Sequence, residues 1–222
     1  MDGQRIRGRA EGVRPYHHGN LRAVLVEAAL EMVRAEGPER LSVREAARAA
    51  GVSPSAVYRH FGDRSELLQA VGLVIQERMA AAMREHMTAP RDADPRQRAL
   101  RGLRGVGLGY IGFAVAEPGW FDAAFFGQAR PAHQRLEQPS GEGEGVTAQV
   151  PAPFRLLTQA LDELVAAGEL SGARRPGAEF ACWSAVHGCA QLLIRGPLRD
   201  AGPTVQRAVT ERVVDDIIAG IR

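Results

Sequence analysis

The sequence predicts an all-α protein, with a small N-terminal three-helix bundle and a larger C-terminal helical domain. Three observations predict it. Apolar residues recur at helical spacing along most of the 222-residue chain, as on the buried stripe of an amphipathic helix. No stretch of any length alternates apolar and polar residues as a half-buried strand would, and no internal repeat is present. Two very short segments, 42–50 and 53–61, meet at Gly51-Val52, which is helix-turn-helix spacing.

Residues 1–17 lack periodicity and carry Arg5, Arg7, Arg9 and Arg14, so they read as a flexible basic arm. Asn20 suits the N-cap of a helix whose Leu21, Val24, Leu25, Ala28, Met32 and Val33 recur together, and Gly37-Pro38 ends it. Ser42 and Glu45 form a capping box for the next helix. Ser53 caps the one after, with Pro54 at the first helical position, where a missing N–H costs nothing. Gly62 closes that helix, and Asp63 with Glu66 opens a long one carrying Leu67, Leu68, Val71, Val74, Ile75 and Met79 to about Met87. Beyond a charged break at 90–95, helices are expected over 95–116, 120–126, 152–167, 176–195 and 203–221. Residues 128–150, including "QPSGEGEGVTAQ", have no core-forming pattern and read as a mobile loop. The expected division is an arm at 1–17, a helix-turn-helix domain at 18–64 and a second domain at 65–222.

Composition narrows the class. Every basic residue is arginine, which with abundant Ala and Gly suggests a GC-rich bacterial genome. The net charge is only +2, but residues 1–64 hold eleven arginines against eight acids, a modest excess placed where a polyanion would meet it. No apolar stretch is long enough to cross a bilayer, the N-terminus lacks a signal-peptide core, and two cysteines make no disulfide framework. The chain reads as a soluble, cytoplasmic protein.

Val57 and Phe61, four apart, share a face and anchor the second short helix to the bundle. Ser53, Ser55, Ala56, Tyr58, Arg59 and His60 are left over the rest of its surface. Hydroxyls and a guanidinium suit base edges and phosphates in a major groove, and a tyrosine suits the backbone. Each has a plainer reading: Ser53 is a cap in any case, Arg59 suits a solvated face, and His60 suits packing at the bundle edge. The combination is what points to DNA.

"LSVREAARAAGVSPSAVYRHFGDRSELLQAV", residues 41–71, resembles the DNA-binding segment of the TetR family of bacterial transcriptional regulators, and the match runs without gaps over about residues 19–75. "YHHGNLRAVLVEAALEMV" resembles the first helix of a subset of that family. The resemblance implies that the Val57–Phe61 stretch and Arg64 stand at operator-contacting positions. Arg64 takes the place of the usual lysine, which keeps phosphate affinity but exchanges a point charge for a fork. Arg9, Arg14, His17, His18 and Ser42 are placed with the DNA-contacting residues. The resemblance further implies a homodimer, a ligand cavity in the C-terminal domain, and repression relieved by a small molecule. "EFACWSAVHGCAQLLIRG" resembles a Trp-His-Gly signature of one subgroup, at Trp183, His187 and Gly188, whose ligands are too varied to carry over.

Gly107, Gly109 and Gly112 fit a dinucleotide-loop pattern but lie inside a helical stretch with no strand before it, so no cofactor is expected. Gly102, Gly105, Gly109 and Gly112 share a helix face, and four glycines cost about 3–4 kcal/mol against alanine. Either a close helix crossing or a groove of bare backbone beside a ligand would offset that. The expected ligand site is Gly109, Tyr110, Phe113, Trp120, Phe125, Phe126, Trp183 and His187, with Phe121 and Phe154 in the core and a mainly apolar ligand. His187 reads either as a ligand-facing polar group or as a satisfied core histidine. Cys182 and Cys189 read as core cysteines rather than metal ligands or a redox pair. The last two helices look too apolar for a solvated surface, so Val186, Cys189, Leu193, Val209, Val213 and Ile217 are expected in a four-helix dimer interface. A two-fold dimer implies a palindromic operator.

The leading reading is a sequence-specific DNA-binding transcriptional regulator, a repressor released from its operator by a small, mainly apolar inducer. The alternative is an all-α carrier or enzyme whose N-terminal bundle does not bind DNA. With no serine nucleophile elbow and no His-Glu-x-x-His, no enzymatic activity is expected.

Overall fold

The computed structural model describes residues 21–90, 93–125 and 150–222. Nine α-helices and one 3-10 turn, and no strand, occur among these residues. They are α1 (Leu21–Glu36), the turn Pro38–Arg40, α2 (Val43–Ala49), α3 (Pro54–Tyr58), α4 (Arg64–His86), α5 (Pro95–Ala116), α6 (Pro118–Phe125), α7 (Ala152–Ala166), α8 (Ala178–Ile194) and α9 (Pro203–Ile221).

Local chemistry sets the boundaries. Ser42 Oγ accepts from the Glu45 amide at 3.1 Å and Ser53 Oγ from the Ala56 amide at 3.3 Å. Asp63 takes the Glu66 amide at 2.8 Å, and the Glu66 carboxylate reaches back to the Gly62 amide at 2.7 Å. Each cap satisfies an amide the helix cannot pair itself. Gly51 turns the chain between α2 and α3 at φ +69°, where a side chain would be strained. The helix after that turn is shorter than expected: it ends at Tyr58, and Arg59 and His60 follow in a turn.

One continuous apolar core runs from Leu25 to Ile221. Its backbone is the pair α4 and α5, which also contacts α6, α7, α8 and α9. The arm, Asn20, Arg9, Arg14, His17, His18, Phe126 and nearly all of the 128–150 stretch lie outside the described residues.

Two glycines of the α5 face, Gly105 and Gly109, sit at a helix crossing, whereas Gly102 faces Glu163 and Gly112 is open. A Cβ on Gly105 would sit 2.3 Å from the His86 carbonyl oxygen, and one on Gly109 would sit 2.6 Å from the Cα of Met83. Only hydrogen fits there. Gly109 thus faces α4 backbone and does not open a groove beside Tyr110, which corrects the expectation of a ligand contact at Gly109.

Candidate DNA interface and ligand cavity

The DNA-facing surface begins with two anchors. Val57 and Phe61 are fully buried, each worth roughly 2–3 kcal/mol of apolar burial. Arg22 covers the Phe61 ring, its guanidinium carbon 4.9 Å from the ring centre. Fixing those two residues turns Ser53, Ser55, Tyr58, Arg59 and His60 to solvent, with Ala56 half-buried. Tyr58 is 54% exposed, a high figure for an aromatic residue with no apolar cover. The Ser53 and Ser55 hydroxyls are 2.9 Å apart and present one polar edge. Ser42 is half-buried and shares its hydroxyl between its capping duty and the Glu45 carboxylate, 2.8 Å away.

Arg64 has a structural task that its sequence position does not reveal. Its guanidinium donates to the Leu41 carbonyl at 2.7 Å and the Pro38 carbonyl at 2.5 Å. It ties the start of α4 to the turn before α2, sharing the Pro38 carbonyl with the Leu41 amide, which donates to it at 3.3 Å. Arg44 and Arg48 on α2 are exposed and add positive charge beside α3; no motif singled them out.

The second site is a cavity between α4, α5, α6, α7, α8 and α9. Its empty space, open mouth included, is about 600 Å³. Tyr110, Phe125, Phe154 and Trp183 supply aromatic wall. Met83, Leu103, Val106, Leu157, Cys182, Val186, Ile217 and Ile218 supply the aliphatic and sulfur wall, and Gly107, Pro151 and Pro153 complete it. The Tyr110 hydroxyl lies 2.9 Å from His187 Nδ1 and 3.3 Å from the Trp183 indole nitrogen, which donates to it. Burial pushes the Tyr110 pKa up and the His187 pKa down, so both groups are neutral near pH 7. Burial, with Glu179 nearby, also pushes the Cys182 thiol up to about 11. That is a core thiol and no nucleophile.

Of the expected ligand residues, Tyr110, Phe125 and Trp183 line this cavity, and His187 stands behind Tyr110. Phe113 and Trp120 do not line it. They stack on each other with ring centres 6.3 Å apart, and Trp120 belongs to the seam between α6 and α1. There its indole donates to the Leu30 carbonyl at 2.8 Å, and the Arg34 and Arg78 guanidiniums lie over its ring at 5.1 and 4.8 Å. Arg34 grips Glu117, at the end of α5, through two bonds of 2.7 and 2.5 Å. On its other flank α6 is tied to α8 by the Asp122–Arg195 ion pair. Phe121 is fully buried as expected, whereas Phe154 lines the cavity instead of the core.

The expected dimer residues also sort differently. Val186, Cys189 and Leu193 are buried within the chain, and Val186 and Ile217 line the cavity. Val209, Val213 and Ile217 are half-buried against the core. The outer faces of α8 and α9 carry the exposed apolar residues Phe180, Leu192 and Val205, which belong to the same apolar pattern, together with Ala181, Ser184, Gly188 and Ala208. A helix apolar all round does not announce which face is inside.

An exposed helix-turn-helix joined through one core to an apolar cavity defines a regulator with separate DNA and small-molecule surfaces. Comparison with known proteins agrees. The sequence pattern of the bacterial regulatory proteins of the tetR family matches residues 25–71, and that of the tetracyclin repressor-like C-terminal domain matches residues 103–217. The chain belongs to the TetR family of bacterial transcriptional regulators.

A curated relative, an uncharacterized HTH-type transcriptional regulator of Haemophilus influenzae, is 40% identical over 76 residues; the match covers 32% of this chain and 37% of that protein. A protein of unknown function from Rhodococcus sp. RHA1 is 27% identical with a TM-score of 0.67, over 94% of this chain and 98% of that one. The transcriptional regulator FadR of Bacillus subtilis, solved with stearoyl-CoA, has a TM-score of 0.62 at 16% identity, over 90% and 99% of the two chains. At that identity the likeness concerns the fold alone.

Proposed function

We propose that the protein is a homodimeric repressor that leaves a palindromic operator when a small, mainly apolar ligand enters its cavity. The supporting observation is the course of α4. It starts at Arg64, directly after the turn that follows α3, and Met83 near its far end stands in the cavity wall. A ligand that alters α4 therefore alters the seat of the recognition helix, and it releases DNA by favouring the state in which two such helices are misplaced. The DNA-contacting unit in this reading is residues 18–64, with Tyr58, Arg59 and His60 at its centre and the basic arm 1–17 adding phosphate contacts. Residues 65–222 hold the ligand and join two copies through the exposed faces of α8 and α9. By analogy of fold, the stearoyl chain of the stearoyl-CoA in the FadR structure supports a ligand with an apolar body, while its CoA portion is charged and supports nothing here. No described helix is long and apolar enough to cross a membrane, and the site of action in this reading is the cytoplasm.

The test is to sequence the DNA retained by the purified protein and to measure its affinity for that DNA across a salt series. A palindromic site preferred at least a hundred-fold over random duplex, with a steep salt slope, is expected. Equal binding to every duplex would sink the proposal.

A further inference from the structure

We propose that the cavity selects an uncharged apolar molecule bearing a single neutral hydrogen-bonding group, an inference that rests on reading this cavity as the regulatory ligand site. Three observations lead there. No Asp, Glu, Arg or His is among the cavity-lining residues described, and the exposed wall is carbon and sulfur almost throughout. A charged group placed inside would lose its water and meet no counter-ion among the described lining residues.

Two arginines near the wall are already engaged elsewhere. Arg155, next to Phe154, donates to the Val150 carbonyl at 2.5 Å and reaches Glu77 at 3.5 Å. Arg175 bonds both Asp162 and Glu179 at 2.7 Å, and Glu179 lies one turn before Cys182. Recruiting either arginine to an anionic ligand would break an existing pair, so the surroundings favour neither sign of charge.

The third observation concerns the hydroxyl of Tyr110. It holds one proton and two lone pairs. The Trp183 indole takes one lone pair, and His187 Nδ1 either accepts the proton or donates to the second lone pair. Whichever tautomer His187 adopts, one hydrogen-bonding position of that hydroxyl remains, and it is assigned to the ligand because Tyr110 stands in the cavity wall. The group is neutral in either case, since burial keeps the phenol protonated and the imidazole uncharged. A hydroxyl, carbonyl or secondary amine on an otherwise apolar body matches that position; a carboxylate or sulfonate does not.

The experiment compares two fluorescent probes on one skeleton, N-phenyl-1-naphthylamine, which is neutral with one N–H, and its anionic sulfonate, 8-anilinonaphthalene-1-sulfonate. Both brighten in apolar surroundings. With the purified full-length protein the neutral probe should bind saturably, and the sulfonate at least ten-fold more weakly. Leu157→Phe, which adds volume to the wall, should abolish binding of the neutral probe while keeping the helical spectrum and DNA binding; Val186→Phe is the same test from α8 should the first variant fail to fold. Equal affinity for the two probes, tighter binding of the sulfonate, or no saturable binding of the neutral probe would each overturn the proposal. The regulator reading is scored apart from this, by retention of promoter DNA with no probe present, so the two cannot fail unnoticed together.

Discussion

The indole nitrogen of Trp120 lies 2.8 Å from the carbonyl oxygen of Leu30 and donates to it, across the boundary between the ligand-binding body and the DNA-binding bundle. Trp120 is nearly buried, with two arginine guanidiniums over its ring. Trp120→Phe keeps most of the apolar contact but removes the donor and some volume. The variant should lose about 1–3 kcal/mol of stability in urea unfolding, and its operator should respond less to a bound ligand. An unchanged unfolding midpoint would mean that the seam carries no energy.

Two glycines on one helix should respond oppositely. At Gly109 a methyl group meets the α4 backbone at 2.6 Å, whereas at Gly112 nothing lies within 4 Å. Gly112→Ala should stabilise by about 0.5–1 kcal/mol through helix propensity. Gly109→Ala gains the same propensity but forces α4 and α5 apart, for a net loss of about 1–2 kcal/mol. Paired urea melts that moved in the same direction would contradict the crossing.

His187 should make stability depend on pH. Burial lowers its pKa from 6.5 in the folded chain, so below that value the unfolded chain binds the extra proton. Its contribution is fully present above 6.5 and is lost as pH falls through the lowered folded value. His187→Gln should therefore flatten the decline in melting temperature as pH falls below 6.5. A variant curve parallel to the wild type across that window would remove His187 as the cause.

On the DNA side, Tyr58→Ala should weaken operator binding by about 1–3 kcal/mol with little change in salt slope, and Arg59→Ala should lower the slope by about one. Because both side chains are exposed, thermal melts should not move. Filter-binding isotherms at several salt concentrations separate the two effects.

Much of the fold was legible because its signals are local. Ser53, Pro54 and Asp63 announce helix starts, and all three do so in the structure. The turn at Gly51 and the burial of Val57 and Phe61 were legible for the same reason. What the sequence could not show is which way an apolar side chain points when its helix is apolar all round. Val186 and Cys189 on α8 turn inward, and the small residues beside them turn out. Trp120 was misplaced because its partners, Leu30, Arg34 and Arg78, lie far off in sequence. Gly109 was ambiguous because bare backbone serves a groove and a crossing equally well.

The crossing at Gly105 and Gly109 makes α4 and α5 a single stiff beam, since backbone touches backbone and leaves no side chains to slide. A beam acts as a lever. Met83 lies 19 residues, about 29 Å, from Arg64 at the start of α4, so a tilt of about 5° imposed at Met83 carries that end through about 2.5 Å. That is most of the rise between neighbouring base pairs. Such a lever reports how far the cavity has widened and not what widened it. In the proposed reading, discrimination among ligands therefore falls to the side chains of the wall, Tyr110 of α5 and those of α7 and α8 among them, while the response itself is common to whatever they admit.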